Sequence, residues 1–292
     1  MKFGQVEDPS NIDFTIPATP TQTTRLLNKY KVDQPMEVHV GCAKWNRVDL
    51  KGFYPRGTKD ELSYYSTQFN SIELNATFYK SPTKLQVESW KAKTSEHFKF
   101  FPKIPQSISH FGRLLNFESK VDAFVDSTVL FEDKLGMAFL QMINNFKPKD
   151  FERVVHFLES FPKGYPLAVE VRNEEWFEPE IAEKLYHLLE RTKMTNIIVD
   201  TPGRRDMMHM RLTTPTAFVR YVASYHPSDY ERLDQWVEKI IEWKTAGLQN
   251  LYFFIHQAMD AETPFLASYF IKKLNKAIGT ELNIPFKASL LK

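Results

Sequence analysis

At 292 residues and 42% hydrophobic content, the chain is long enough to bury a sizeable core, either as one large α/β barrel or as two ordinary domains. Lys and Arg total 38 against 36 Asp and Glu, which excludes a broad electrostatic footprint for nucleic acid or an anionic membrane and confines any polyanion site to a local patch. A single cysteine, Cys42, excludes an intrachain disulfide and a Cys-rich zinc site, and no stretch has the length and apolarity of a membrane span or signal segment, so a cytoplasmic protein without membrane partners is expected.

Residues 1–35 carry prolines at 9, 17, 20 and 35 and no apolar run, which predicts an extended arm with one short helix near Thr24–Tyr30. Residues 36–292 read as one domain in which strand and helix patterns alternate. Strands are expected at Glu37–Cys42, Ser71–Asn75, His97–Phe101, Gly136–Gln141, Leu167–Arg172, Asn196–Asp200, Ala217–Tyr221 and Leu251–His256. Helix starts are marked by the capping boxes Thr58-x-x-Glu61, Thr83-x-x-Gln86 and Ser228-x-x-Glu231, and by Thr263 followed by Pro264. From Trp45 through 75, 103, 141, 172, 200 and 220 to 256, the strand ends lie 30, 28, 38, 31, 28, 20 and 36 residues apart. All but one of these gaps accommodates a helical crossover, and eight such units close into a single (β/α)8 TIM-type barrel. The short gap from Asp200 to Arg220 holds Pro202, Gly203 and Pro215, so the crossover between strands six and seven is expected to be irregular. A doubly wound sheet would need an early glycine-rich phosphate turn, which Gly41-Cys42-Ala43-Lys44-Trp45 lacks, and no cofactor is expected.

Strand after strand ends on a charged or amide side chain: Lys44, Asn75, Lys103, Gln141, Arg172, Asp200, Arg220 and His256. Because side chains alternate across a strand, Glu73 with Asn75, Glu170 with Arg172, Ile198 with Asp200, Phe218 with Arg220 and Phe254 with His256 are expected to face inward, gathering at the strand C-termini where barrels of this kind carry their sites. Three acids, Glu73, Glu170 and Asp200, then face three bases, Lys103, Arg172 and Arg220. Such a balanced set fits an internal ion-pair network closing the barrel mouth. It equally fits a site for a small anionic substrate, phosphorylated or carboxylated, clamped by Arg172 and Arg220, with Glu170 as base and His110 or Lys103 as acid. A Glu170 held there for chemistry would tolerate replacement by glutamine. Glu73, of the same acid set, is a third catalytic candidate beside Glu170 and His110, and Trp45, Phe78, Tyr79, Trp90 and Trp176 offer stacking surfaces or core. His256 with Glu73, Glu170 and Asp200 suits a divalent metal, as in a nucleic-acid-processing barrel, but three cationic side chains at the same mouth oppose one, and no metal is expected. A non-catalytic binding or scaffold protein is the third reading.

The ordered motifs Phe69-Asn70-Ser71-Ile72-Glu73-Leu74-Asn75-Ala76-Thr77-Phe78-Tyr79, Phe98–Lys103, Ile108-Ser109-His110, Leu135-Gly136 with Gln141, and Ala168-Val169-Glu170-Val171-Arg172 with Trp176 resemble those of the YecE-like family, also called domain of unknown function 72. The resemblance runs from about residue 37 to 275 and implies a TIM-barrel-like fold but no established reaction. Where that family usually has Gln-x-Pro-Pro, Arg-Leu-His-Gly and paired asparagines, this chain has Gln141-Met142-Ile143-Asn144, Arg220-Tyr221-Val222-Ala223 and His256-Gln257.

Overall fold

Eight short runs rich in aromatic and branched residues form parallel strands: β1 (Glu37–Cys42), β2 (Ser71–Leu74), β3 (Lys99–Pro102), β4 (Ala138–Gln141), β5 (Leu167–Glu170), β6 (Thr195–Asp200), β7 (Thr216–Val222) and β8 (Asn250–His256). The computed structural model describes residues 4–257 and 260–286. Every residue of β2, β4, β5 and β6 is buried, as parallel strands covered on both faces require. The spatial order is β3-β2-β1-β8-β7-β6-β5-β4, with β1 paired to both β2 and β8. Only β3 and β4 lack a continuous ladder. They meet through isolated bridges, Phe100 to Leu135 and Lys103 to Phe139, with Gly136 N–H donating to Phe100 at 2.8 Å and Ile104 N–H to Phe139 at 2.9 Å. A Cβ on Gly136 would lie 2.7 Å from the Phe101 ring, so glycine is what lets the chain cross there. The result is a (β/α)8 barrel with one thin seam.

The helices are α1 (Thr21–Tyr30), α2 (Glu61–Gln68), α3 (Ala76–Tyr79), α4 (Lys84–Lys93), α5 (Gln106–Ser109), α6 (Glu118–Thr128), α7 (Phe151–Ser160), α8 (Pro179–Thr192), α9 (Ser228–Ala246) and α10 (Thr263–Ile278). Thr83 and Gln86 form the expected reciprocal capping box on α4. At α2, by contrast, Asp60 caps the helix through Ser63 N–H, and Thr58 turns back to the Pro55 carbonyl. Ser228 is already inside α9, so it does not cap it. Among the described residues, no helix is long and apolar enough to cross a membrane.

Between β6 and β7 the chain makes only a short 3-10 turn, Arg205–Met207, in keeping with its prolines. The missing layer is supplied from the N-terminal arm. Helix α1 packs beside α9, its Thr23 hydroxyl donates to Met210 O and accepts from Leu212 N–H, and Leu27 is fully buried in the cluster that holds Met208, Met210 and Leu212. A core leucine truncated to alanine loses its transfer energy and leaves a cavity. Leu27→Ala is therefore expected to cost about 2–5 kcal/mol in urea unfolding; a change below about 1 kcal/mol would show that α1 rests on the surface without completing the fold.

Two apolar layers result. Phe101, Phe139, Ala168, Ile197, Val199, Phe218 and Phe254 fill the barrel, while Ile72, Leu74, Val169, Ile198, Val219 and Phe253 face the helices. These opposite faces decide which strand-end polar groups reach the mouth.

Candidate functional site at the barrel mouth

Alternation places Glu73, Lys103, Gln141, Glu170, Arg172, Arg220 and His256 on the same side of their strands as the interior layer, just past its last apolar ring. A cavity of about 410 Å³ opens there, and Asn75, Tyr79, Lys103, Gln141, Arg172, Arg220 and His256 line it. Glu73 and Glu170 lie beneath, essentially without exposure. Arg220 is the hub. Its Nε and Nη2 donate to the two oxygens of Glu73 at 2.9 and 3.0 Å, and its Nη1 to Glu170 Oε2 at 2.5 Å. Glu170 Oε1 accepts from Arg172 Nε at 2.5 Å. Glu73 also meets His256 Nε2 at 2.9 Å and accepts from the Asn75 amide at 2.9 Å.

Ionisation follows from this pairing. Burial alone would raise the Glu170 carboxyl, but Arg172 and Arg220 outweigh it and hold the group down at about 2. Glu73 is likewise buried and likewise pulled well below the usual carboxylate range, by Arg220 and His256. Burial opposes the charge of Arg220 too, yet Glu170 and Glu73 push its pKa up. Lys103 differs. Its ammonium donates to Gln141 Oε1 at 2.8 Å and sits 4.2 Å from the centre of the Phe78 ring. Among the described residues, no carboxylate comes within 4.0 Å of it. Burial first, then the charge of Arg220, against weaker attraction to Glu73 and Glu170, bring Lys103 down to about 7. The Nε2 of Gln141 is buried without a partner.

Three expected members of the mouth are placed elsewhere. Asp200 faces the helix layer: its carboxylate accepts from Arg232 at 2.6 Å and from Trp236 Nε1 at 2.8 Å, both on α9, and pairs with Arg205. In β6 the interior residues are Ile197 and Val199, which sends Ile198 and Asp200 outward. Trp45 lies past the end of β1 and packs edge-on against Trp90 at 6.1 Å, outside the cavity lining. His110 caps α5, also outside the lining, with its ring 4.8 Å from Phe78 and Nδ1 2.9 Å from the Ser109 hydroxyl. Burial, then the charges of Lys103 and Arg172, lower His110 to about 4, so at neutral pH it is an uncharged imidazole and a poor match for the proton-donor role.

With Asp200 removed, two acids face three bases, and the mouth inclines to positive charge. The same displacement takes Asp200 away from Glu73, Glu170 and His256, and among the described residues no group of three His, Cys, Asp or Glu side chains is placed to hold a metal ion. Lys44, on the rim, pairs with Asp49 at 2.9 Å. Gln5 also lines the cavity; nothing local marks it, because it arrives through the tertiary path of the arm, where Gly4 O accepts from Thr201 and from Gly203 N–H. A second cavity of about 460 Å³, at the strand N-terminal end, contains Lys31, Glu37 and Lys244 as its charged groups. There Lys31 and Lys244 are spent on backbone carbonyls and Glu37 on His39, so their charges serve the fold.

The family model for a protein of unknown function, DUF72, matches residues 39–287. The chain belongs to the DUF72 family. It is 25% identical to the UPF0759 protein YecE of Escherichia coli (strain K12) over 279 residues, 87% of this chain and 99% of that protein. It is 28% identical to the UPF0759 protein YunF of Bacillus subtilis (strain 168) over 174 residues, 56% of this chain and 61% of that protein. Two DUF72 family crystal structures share the fold. One, from Thermotoga maritima, has a TM-score of 0.65 at 25% identity over 82% of this chain and 99% of that chain. The other, from Enterococcus faecalis, has a TM-score of 0.66 at 17% identity over 84% of this chain and 96% of that chain. The runs around Glu73, Lys103, Gln141 and Glu170–Arg172 lie within the residues that the family model matches and fall at the barrel mouth.

Proposed function

We propose that the DUF72 barrel mouth binds a small carboxylate- or phosphate-bearing molecule and carries out acid/base chemistry on it, with Lys103 as the proton-transferring group. The observation that carries this reading is the contrast between Lys103 and its neighbours. Arg220 is held by two carboxylates, and Glu170 is too acidic to act as a base near neutrality. Lys103 lines the same cavity without an ion-pair partner among the described residues, and its pKa of about 7 suits both taking and giving a proton at physiological pH. The base expected at Glu170 is thus reassigned: Glu170 with Arg220 and Glu73 forms the rigid floor, and Lys103 works above it.

Calorimetry with sulfate, whose charge is constant between pH 6 and pH 8, tests the reading. Lys103 is charged below about 7 and neutral above it, so sulfate is expected to bind several-fold more tightly at pH 6 than at pH 8, and more weakly as sodium chloride rises. Lys103→Met should remove the pH dependence. An absence of sulfate binding at low salt at either pH, with the fold intact by circular dichroism, would sink the proposal and leave the mouth as a structural ion-pair network.

A further inference from the structure

We propose that Lys103 is an imine-forming lysine, and that the molecules it takes are small aldehydes or ketones carrying a carboxylate or phosphate; this rests on the anion-binding reading above and narrows its substrate class to carbonyl compounds. Four features of the mouth point to that chemistry.

An amine attacks a carbonyl only in its neutral form, and a lysine becomes neutral when it is desolvated next to other cations. Lys103 is 8% exposed, packed over Phe78 and within 5.8 Å of the Phe139 ring, with no carboxylate within 4.0 Å among the described residues. The charged groups acting on it from the surrounding strands are Arg220 on β7, Glu73 on β2, and Glu170 with Arg172 at the end of β5. The two acids are already bound by guanidinium groups, which leaves them little hold on a further cation.

The neutral amine is also correctly held. Gln141 Oε1 takes one N–H and, being an acceptor, leaves the nitrogen lone pair unused. Gln141 itself is 4% exposed, and its Nε2 is a buried donor with no partner, set on the same amide that grips the lysine. Unsatisfied buried donors are rare in folded proteins, and this one belongs to a side chain that lines the cavity. Finally, no other mouth cation can play the part, because guanidinium groups do not lose their proton and Lys44 is an exposed partner of Asp49.

The step is balanced without a redox partner. The Lys103 nitrogen forms a bond to the carbonyl carbon, the C–O bond breaks, and the oxygen leaves as water with the two amine hydrogens, giving C=N. The imine then withdraws electrons from the adjacent carbon, which is what proton abstraction or C–C cleavage next to a carbonyl requires.

Reductive trapping tests the inference. The full chain is incubated at pH 7 with pyruvate or dihydroxyacetone phosphate and sodium cyanoborohydride, which delivers hydride to the imine carbon and fixes it as a secondary amine. Intact-mass and peptide mass spectrometry then locate the adduct. Lys103 should be modified at least about tenfold faster than Lys44, the exposed lysine at the same mouth, because burial brings the Lys103 amine down to about 7. Sulfate should slow the labelling, and Lys103→Arg, which keeps the charge, should abolish it while still binding sulfate. Labelling spread evenly over surface lysines overturns the imine, whereas selective labelling of Lys103 that sulfate does not affect keeps the imine and overturns the anion site beside it. A wild-type protein that binds sulfate yet forms no adduct refutes the imine alone; one that neither binds sulfate nor forms an adduct refutes the anion site as well.

Discussion

Glu170→Gln is expected to destabilise the protein by about 3–5 kcal/mol. The carboxylate is completely buried and is bound on one oxygen by Arg172 and on the other by Arg220, so the amide leaves Arg172 without this partner and Arg220 with Glu73 alone. An independent route gives a similar size: a carboxyl moved from its ordinary value down to about 2 corresponds to about 3 kcal/mol of linked stability. The pH dependence has a definite sign. A folded-state pKa below the unfolded one contributes stability that is complete above the unfolded value, near 4.3, and is lost as pH falls from there through about 2. Urea unfolding at pH 7 should therefore separate wild type from Glu170→Gln widely, and the two curves should approach each other at pH 3. An unchanged or raised midpoint at pH 7 would instead mean that Glu170 is held against the interests of the fold, as a catalytic base would be.

The second large effect is expected at Asp200, for a different reason and with a different readout. Arg232 is fully buried, and its Nε already lacks a partner. Its charge is compensated by Asp200 and Asp229, so Asp200→Asn removes half of that compensation at a site closed to water, at a cost of about 3–5 kcal/mol. Arg205 and Arg232 both pack on the face of Phe14, at 5.3 and 4.7 Å, so the arm should loosen along with the network. Sulfate affinity at the mouth should stay unchanged below the melting transition, because Asp200 faces the helix side of the barrel wall. In a double-mutant cycle with Glu170→Gln, the two losses should add to within about 0.5 kcal/mol. A fall in sulfate affinity in Asp200→Asn, with the fold intact, would return Asp200 to the mouth.

How far the site could be read beforehand depended on whether each strand shows its own alternation. In β5, Ala168, Glu170 and Arg172 alternate with Leu167, Val169 and Val171, so the two faces are distinct and the inward set is as expected. In β6, Ile197, Ile198 and Val199 are all apolar and all buried, because the strand is covered on both sides. Nothing in that run distinguishes the faces, and an aspartate at its end can as well meet an arginine on a helix as a ligand. Lys103 was legible as a strand-end cation. Its depressed pKa was not, since that follows from burial in the closed mouth and then from the charge of Arg220, which is brought there by Glu73, 147 residues away in the chain, and Glu170, 50 residues away. Trp45 and His110 lie three and eight residues past the ends of their strands, too far for alternation to place them, whereas Lys103 and Arg172 lie only one and two residues past theirs.

The helix that takes the place of the missing crossover has a further consequence, for the order in which the barrel is made. Thr23 on α1 bonds to Met210, 187 residues later. At ribosomal rates on the order of 5–20 residues per second, roughly 10–40 seconds separate the emergence of the two. Leu27 and its neighbours therefore wait in water, exposed to chaperones and to other nascent chains, until β7 and α9 have been synthesised. A helix synthesised ahead of all eight strands is thus among the last elements to find its seat.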